Sequence, residues 1–547
     1  MKTLPLILLL MAWALPAQAQ WPTSIRENLP VAVSAYAEDY PVTVLLNDGS
    51  LLVAYFSNSE TPSRYFYQIV ETNGQLRFNP PEYLTPALND PDIYGLEIIP
   101  DSTGGAITAW FESNSGPHPG YYAQKLDVAG NRVWGDAGLF VGTFLPNCNY
   151  LGLCPDGQGG FFMAAHGDPD GMAPMVDQVH AYRVSATGQL LWGGLTGIPV
   201  CPFPATQKKA KVCPDGQGGI FVVWQDNRNG PYGKLFGQRL DSAGIPQWDP
   251  LGVELYSYSP WLYETVPDGA GGFLVHCGSG TFNRVIRYAP TGDSLWVRDY
   301  VSWYPTARMI SGEPGYAYLC FGYQGGMYAQ RLDMEGNCHW PTWGSGQPGA
   351  LVMPFGQLAG CAMAYRWPFL YMFVSVQKAG PATLPVYSYG QKLDSLGRRQ
   401  WGNQGTLMYV SRAGENPQDL SSVGDGGGGM VTTFMLVQNV NPNVWAKRVA
   451  WNGQLGGAMP EDSPRTVPTV TARLQGEVAS YRLAVPSQVR VSLFDLLGRK
   501  VAVLEDGWKE AGEYTVTLPR LSLSSGVYLV RMQAGEFTQV QKLVLLK

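Results

Sequence analysis

Charged residues are scarce in this sequence. Asp, Glu, Lys and Arg make up 15% of the 547 residues, and the formal net charge is −6, whereas about 25% of an average soluble domain is charged. No run of Lys or Arg stands out, so we expect the chain to lack the basic surface by which proteins bind nucleic acids or anionic membranes. We therefore expect no nucleic-acid partner.

Long apolar runs are missing after the N-terminus, and none approaches the ~20 residues that a membrane-spanning helix needs. We expect no transmembrane helix. The one long apolar run lies in residues 1–19, where a single Lys precedes the apolar segment Leu4 to Leu15 and Ala17-Gln18-Ala19 follows. A basic start, an apolar centre and a small-x-small end predict a secretory signal peptide, with Gln20 as the first mature residue.

Cysteine and histidine are also rare, with eight and five copies. The cysteines are too few for a disulfide-dense scaffold, and their pairing stays open. Cys154 and Cys213 occupy equivalent places in two copies of one motif, Cys277 and Cys320 share another, and such positions usually stay apart. The histidines form no HExxH, and no GxSxG, P-loop or dinucleotide-binding motif occurs in a suitable context, which favours a binding protein over an enzyme.

Glycine and aromatic residues are abundant, and a glycine-rich turn recurs. PDGQGG occurs at 155–160 and again at 214–219, and related turns begin at Asn47, Asp101, Pro267, Ser311 and Gly424. Asp-Gly and Gly-Gly pairs supply the positive φ angles of tight hairpins, and apolar segments such as GIFVVW follow them. Each turn therefore predicts a β-hairpin.

A second signature follows each hairpin, as in FGQRLDSAGIPQW at 236–248, and occurs eight times with a mean spacing of about 54 residues, near the period of propeller repeats. Its anchoring glycines are Gly74, Gly130, Gly188, Gly244, Gly292, Gly336, Gly397 and Gly453. Two hairpins per repeat make four strands. We predict an all-β fold, a β-propeller of about eight four-stranded blades over residues 20–460. Seven blades stays an alternative, because the seventh copy lacks its Asp-Gly turn.

Two further positions repeat around each anchoring glycine. Four residues after it stands an aromatic residue in seven copies, and Gly457 stands there in the eighth: Phe78, Trp134, Trp192, Trp248, Trp296, Trp340 and Trp401. Five residues before it stands a cation in every copy except the first, which has Ile69: Lys125, Arg183, Arg239, Arg287, Arg331, Lys392 and Arg448. We expect the cations to face solvent rather than to form a ligand-binding ring, because strand residues alternate faces.

The C-terminal segment departs from the repeat. Residues 461–468 are rich in Pro and charge and predict a linker, and residues 469–547 alternate apolar and polar residues in some seven short strands, typical of an Ig-like β-sandwich. The order LFDLLGRKV, AGEYTV, SGVYLVRMQAGEF and KLVLLK over 465–547 resembles the type A C-terminal sorting domain of the type IX secretion system.

That resemblance implies a route and a partner. The signal peptide would deliver the chain to the periplasm, and the type IX machinery would recognise the C-terminal domain and carry the protein to the outer-membrane surface or the medium. The host would be a Gram-negative bacterium of the Bacteroidetes type. The propeller repeats also resemble repeats of exported proteins of such bacteria. Whether the protein is then anchored or released stays open.

One loop has the side chains for a metal site. HGDPDGMAPMVDQVH places His166, Asp168, Asp170, Asp177 and His180 in the third repeat. Alternating carboxylates before a glycine resemble part of a calcium loop, and flanking imidazoles suit zinc. Because the spacing and terminal Glu of an EF-hand are missing, an exposed polar loop is the favoured interpretation, with no cofactor and Ca²⁺ as the candidate metal.

A second loop could bind a sugar or a carboxylate. WQDNRNG offers Trp224, Asp226 and Arg228, an aromatic face beside two charges. A salt-bridged loop is the commoner explanation of such a group.

Three hypotheses for function follow. The leading one is an exported propeller that binds a glycan or a protein, in its central channel or on the loops of one face. The alternative is a polysaccharide hydrolase or lyase, which requires carboxylates of different blades to converge in the channel. The third is a structural spacer without a ligand.

Overall fold

The computed structural model describes most of the chain. The described residues are 21–58, 64–84, 92–113, 119–143, 150–167, 176–230, 233–260, 262–279, 282–302, 308–313, 315–340, 342–343, 347–354, 357–377, 384–412, 415–438, 441–457, 473–475, 478–483, 487–495, 500–509, 512–517, 526–534 and 537–545. The chain divides into two compact units, Met1–Pro460 and Glu461–Lys547. Within the described ranges, no helix has the length and hydropathy needed to cross a bilayer.

The first unit contains eight antiparallel sheets of four strands. We call these sheets blades and number them along the chain. Blade 1 contains β2 (Glu38–Leu45), β3 (Leu51–Ser57), β4 (Arg64–Val70) and β5 (Glu82–Tyr83), and blade 2 contains β6 (Asp92–Pro100), β7 (Ala106–Ser113), β8 (Gly120–Leu126) and β9 (Leu139–Gly142). Blade 3 contains β10 (Leu151–Pro155), β11 (Phe161–Gly167), β12 (Gln178–Val184) and β13 (Ile198–Pro199), and blade 4 contains β14 (Gln207–Pro214), β15 (Ile220–Asp226), β16 (Lys234–Leu240) and β17 (Val253–Tyr256). A 3₁₀ turn, Gly194–Thr196, precedes β13.

Blades 5 to 8 complete the set. Blade 5 contains β18 (Leu262–Pro267), β19 (Phe273–Ser279), β20 (Phe282–Tyr288) and β21 (Ser294–Val301), and blade 6 contains β22 (Arg308–Ser311), β23 (Tyr316–Tyr323), β24 (Gly326–Asp333) and β27 (Ala350–Pro354). Blade 7 contains β28 (Gln357–Arg366), β29 (Phe369–Gln377), β30 (Val386–Leu393) and β31 (Thr406–Val410). Blade 8 contains β32 (Pro417–Gly424), β33 (Met430–Gln438), β34 (Asn441–Val449) and, from the N-terminal part of the chain, β1 (Leu29–Ala32). A two-stranded ribbon, β25 (Thr342–Trp343) and β26 (Gln347–Pro348), lies between β24 and β27.

The sheets form a closed ring. The first strands of successive blades contact one another in cyclic order, from β2 through β6, β10, β14, β18, β22 and β28 to β32, and β32 contacts β2. The eighth blade takes its outer strand from the N-terminus, since β1 pairs with β34 through Leu29 and Ala446. The fold is thus an eight-bladed propeller, and the seven-blade alternative is wrong because the terminal strand completes a full eighth sheet.

The repeated Asp-Gly turn is held by its own aspartate. In blade 4 the Oδ1 atom of Asp215 accepts hydrogen bonds from the backbone N–H groups of Gln217 and Gly219, both at 2.8 Å. Its Oδ2 atom lies 2.9 Å from the Arg239 guanidinium on β16. One carboxylate therefore closes the turn and neutralises the cation of the third strand.

The repeated cations do not face solvent, so that expectation is wrong. Lys125 is 5% exposed and Arg448 is 2% exposed. In six blades the cation pairs with the carboxylate of the preceding hairpin turn: Lys125–Asp101, Arg183–Asp156, Arg239–Asp215, Arg287–Asp268, Arg331–Glu313 and Arg448–Asp425. Lys392 instead donates to the Gly428 carbonyl at 2.8 Å. The turn acid offsets the cost of burying the charge, which strand alternation alone does not reveal.

The repeated tryptophans link neighbouring blades. Each indole Nε1 donates to a carbonyl in the second turn of the next blade: Trp134 to Ala186, Trp192 to Ser242, Trp248 to Pro290, Trp296 to Met334, Trp340 to Ser395 and Trp401 to Trp451. The eighth copy has Gly457 in this position, and Trp21 replaces the missing ring by donating to Thr72 at 3.0 Å. A residue at the start of the chain thereby completes the last link.

The register corrects one equivalence among the cysteines. The sequence predicts that Cys277 and Cys320 occupy equivalent positions, but the strand registers differ from this. Opposite Glu264 on the first strand of blade 5 lies His276, and opposite Arg308, the matching residue of blade 6, lies Cys320. The last glycine of the blade 6 turn, Gly315, matches Gly271 rather than Gly272, so Cys320 corresponds to His276, and the two cysteines point to opposite sides of their sheets. Among the described residues seven cysteines are found, six of them buried and Cys338 exposed.

The second unit contains seven strands in two sheets. They are β35 (Arg473–Gln475), β36 (Val478–Leu483), β37 (Ser487–Asp495), β38 (Lys500–Lys509), β39 (Gly512–Thr517), β40 (Gly526–Ala534) and β41 (Phe537–Leu545). One sheet has the order β35-β36-β39 and the other β38-β37-β40-β41. Val489, Val491 and Leu493 on β37 are buried, so alternate residues of this strand supply the apolar core.

Candidate functional site

The central channel has two ends, which the direction of the first strands distinguishes. Every first strand begins at one end, which we call the strand-start face, and finishes at its hairpin turn at the other. The second strands end and the third strands begin at the strand-start face as well. Ligands most often bind where strands of a rigid scaffold are connected, so this face is the candidate site.

Four first strands bulge at the same height near this face. In blade 1 the register between the first and second strands shifts between Asp39 and Val42, and it shifts at the matching residues of blades 2, 4 and 8. The bulged residues have left-handed backbone, with φ of 54° at Tyr40, 70° at Gly95, 56° at Lys209 and 48° at Asp419. Such angles are rare outside glycine, and bulges redirect side chains at functional sites.

The bulges place charged side chains at the channel opening. We call Asp39, Asp419, Lys208 and Lys209 the charged mouth. Asp419 and Lys209 occupy the same register position in blades 8 and 4, which lie on opposite sides of an eight-membered ring. Within the described part of the chain, none of the four residues forms an ion pair. Each side of the mouth thus carries charge of one sign.

Burial, and to a smaller extent proximity within each side, shifts the pKa values of these groups. Desolvation raises the pKa of Asp39, and the neighbouring Asp419 raises it further. Desolvation also raises the pKa of Asp419. Burial and the charge of Lys208 lower the pKa of Lys209, whose amine lies 5.7 Å from the ring centre of Tyr150. Tyr150 is 51% exposed, and Tyr40 on the acidic side is 62% exposed.

The acidic side has a buried neighbour. Glu38 is 5% exposed, and its Oε2 atom has no hydrogen-bond partner among the described residues. Burial raises its pKa to about 7, the hydrogen bond with Ser34 lowers it, and Asp39 raises it again. Glu38 therefore changes charge near neutral pH.

Deeper in the channel, four charges of alternating sign converge. Glu97, Lys211, Glu264 and Arg308 occupy one register position in blades 2, 4, 5 and 6. Arg308 donates to Glu264 at 2.8 Å. Burial raises the pKa of Glu97, Lys211 and Arg308 lower it, and Glu264 raises it. Since these residues belong to four blades, their interaction requires the side chains to meet near the axis.

The side chains of the predicted sugar-binding group lie together, but their polar atoms form hydrogen bonds with one another. Trp224 and Asp226 are fully buried, and Trp224 Nε1 donates to Asp226 at 3.0 Å. Arg228 donates to the same carboxylate at 2.6 Å, and its guanidinium lies 4.0 Å from the ring centre of Phe236. This is the geometry of a salt-bridged loop, and ligand binding here stays a prediction.

The predicted metal loop is only partly described. Asp168 and Asp170 lie outside the described residues, and Asp177 is half-buried. His180 pairs with Ala165, while His166 is the next residue along β11, so the two imidazoles point to opposite faces of the sheet. His180 Nδ1 lies 2.7 Å from the Thr196 carbonyl oxygen. The described residues contain no group of three acidic, His or Cys side chains suited to a metal.

Sequence reasoning missed the channel charges. The run QKKAK before the PDGQGG turn of blade 4 marks the basic side. The deeper charges each stand three residues before the last residue of the first strand, at Glu97, Lys211, Glu264 and Arg308. This periodic position was available, but only ring closure shows that its occupants meet.

The comparisons identify the second unit. Residues 478–546 match the family model of the secretion system C-terminal sorting domain. The C-terminal unit is a type IX secretion sorting domain. It indicates export to the cell surface or the extracellular space and interaction with the type IX machinery.

Solved structures resemble the propeller only distantly. A protein of unknown function from Dyadobacter fermentans is 10% identical, with 79% of this chain and 98% of that chain covered and a TM-score of 0.35. Prolyl oligopeptidase B from Galerina marginata is 11% identical over 75% of this chain and 56% of that one, with a TM-score of 0.40. The NanB sialidase from Streptococcus pneumoniae is 8% identical over 80% and 70%, with a TM-score of 0.30.

This chain therefore spans little more than half of the Galerina enzyme. No curated protein matches the sequence.

Proposed function

We propose that the protein is an exported binding module whose propeller captures a glycan or protein ligand at the charged mouth of its channel. The observation that carries this proposal is the pair of charged sides, which form no ion pairs within the described residues and have exposed tyrosines beside them. Desolvated charges without partners destabilise a folded protein, and they cluster where a ligand supplies the missing partner. The sorting domain would deliver this module to the cell surface or the medium.

Binding is tested with the mature full-length protein on a glycan array and in parallel incubations with polysaccharides, whose supernatants are assayed for new reducing ends. We expect ligand capture without new reducing ends. Loss of capture in Lys209→Asn, with retention in Lys234→Gln on the outer part of the blade, would locate the site. Absence of binding to glycans, peptides and proteins alike would favour the structural spacer.

The channel also favours a second candidate, a polysaccharide-active enzyme. Two carboxyl groups of different blades, Glu97 and Glu264, interact in the channel, where burial raises the pKa of Glu97 and Arg308 forms an ion pair with Glu264. A protonated acid beside an ionised carboxylate is the pairing that glycoside hydrolysis uses. New reducing ends that disappear in both Glu97→Gln and Glu264→Gln would support this enzyme over the binding module.

A further inference from the structure

The charged mouth has opposite signs on opposite sides. Asp39 and Asp419 come from adjacent blades 1 and 8, and Lys208 and Lys209 come from blade 4, across the ring from blade 8. A ligand of one sign would be attracted by one side and repelled by the other. Only a ligand with separate anionic and cationic groups satisfies both sides at once.

The channel wall adds hydrogen-bonding groups. Every first strand lies at the end of its sheet order, so one edge of its backbone faces the channel without a neighbouring strand. Unpaired N–H and C=O groups of strand edges bind extended peptides, whose main chain offers the complementary groups. Neutral and purely acidic glycans lack the cationic group that Asp39 and Asp419 would bind.

We propose that the charged mouth binds an oligopeptide segment that carries acidic residues at one end and basic residues at the other. The inference rests on the proposed binding function and specifies its ligand class. The acidic end of the peptide lies against Lys208 and Lys209, the basic end lies against Asp39 and Asp419, and Tyr40 and Tyr150 flank the two ends.

The bulged backbone dictates which substitutions test this site cleanly. Lys209 and Asp419 have positive φ, a conformation that Asn tolerates better than most residues. Lys209→Asn and Asp419→Asn therefore remove the charges while the local backbone is retained. Adding Lys208→Gln to Lys209→Asn removes both charges of the basic side, and adding Asp39→Asn to Asp419→Asn removes both charges of the acidic side. Lys234→Gln, which removes a half-exposed cation from the same blade, is the matched control.

The measurement is fluorescence anisotropy of three labelled peptides of equal length with the mature full-length protein. One peptide has a Glu block and a Lys block joined by Gly, one has Glu and Gly, and one has Lys and Gly. We expect the mixed peptide to bind at least about tenfold more tightly than either single-sign peptide, and neutralising either side to remove that preference. The control variant should bind like the wild type.

Stability separates a binding role from a structural one. Because like charges repel within each side, the double variant Asp39→Asn/Asp419→Asn should unfold at a temperature equal to or above that of the wild type while it loses the mixed peptide. A lower unfolding temperature with unchanged binding would overturn the inference.

Other outcomes distinguish the inference from the proposed function. If glycans bind in a Lys209-dependent way and the mixed peptide does not, the peptide inference fails and the binding function survives. If neither peptides nor glycans bind, both fail. Equal binding of the mixed and the Lys-only peptides would also overturn the inference, because the basic side would then contribute nothing.

Discussion

At the scale of single residues, the turn aspartate is the most informative position. Asp215 accepts two backbone hydrogen bonds and an ion pair from Arg239, and it is 2% exposed. Asp241 in the second turn of the same blade also accepts two backbone hydrogen bonds, but it forms no ion pair within the described residues. The two aspartates differ chiefly in the buried cation.

Replacing these aspartates should therefore have unequal effects. Asp215→Ala leaves Arg239 half-buried without its partner and should lower the free energy of unfolding by about 3–5 kcal/mol. Asp241→Ala removes the two turn hydrogen bonds and one from the Gln247 side chain, but it leaves no cation without a partner, so it should lower it by about 1 kcal/mol. Urea unfolding of both variants measures the difference. Equal losses would show that the ion pair adds nothing to the turn.

A buried carboxyl group predicts a pH dependence. Glu112 is 4% exposed and accepts a hydrogen bond from Trp110 Nε1 at 2.7 Å, and burial raises its pKa from 4.5 to about 7. Between these values the folded protein retains a proton that the unfolded chain has lost, so stability falls as pH rises through this window.

Glu112→Gln should remove that dependence while it keeps the acceptor for Trp110. We expect no difference from the wild type near pH 4.5 and a gain of roughly 1–3 kcal/mol at pH 8. Thermal unfolding at both pH values measures it, with exposed Glu335→Gln as control. A gain at pH 8 in the control, or none in Glu112→Gln, would contradict the assignment.

At the scale of elements, the N-terminal strand is the closure device. β1 supplies the outer strand of blade 8, and Lys447 donates to the carbonyls of Pro22, Ser24 and Glu27 at 3.2, 2.6 and 2.6 Å. Trp21 adds the indole that the eighth repeat lacks. The closing contacts thus come from residues that precede the first blade in the chain.

Removing Trp21 should loosen this segment specifically. We expect Trp21→Ala to expose residues 21–32 to early proteolytic cleavage, because the ring contributes about 3–5 kcal/mol of burial energy. Trp248→Ala removes the same kind of link between blades 4 and 5, which consecutive residues of the chain already join. Limited proteolysis with mass spectrometry should find early N-terminal cleavage only in Trp21→Ala. Identical cleavage patterns would argue against the closure role.

At the scale of the whole molecule, the two units have separate tasks. The propeller closes through contacts among residues 21–457, whereas the sorting domain has its own two sheets. Neither unit needs the other to complete a sheet.

Deleting residues 465–547 should therefore leave the propeller folded but trapped in the periplasm, because the secretion machinery loses its recognition domain. Cell fractionation and surface proteolysis measure its location, with the full-length protein as control. Surface delivery of the truncated protein at the wild-type level would contradict this expectation.

Local chemistry explains which predictions succeed. The Asp-Gly turns, the 54-residue period and the alternating strands act over a few residues, so the blades and the sorting domain could be predicted from sequence. The binding group around Trp224 illustrates the limit, because the order Trp, Asp, Arg does not reveal that Asp226 is enclosed by its two neighbours.

The sequence by itself determined the four-stranded repeats and the sorting domain, since each is encoded in contiguous residues. Only the tertiary structure decided between seven and eight blades. It also decided that the repeated cations pair with turn acids and that Asp419 and Lys209 lie at the same channel opening. The physical reason is ring closure: residues from distant repeats become neighbours only when the last blade joins the first, and no local pattern records that distance.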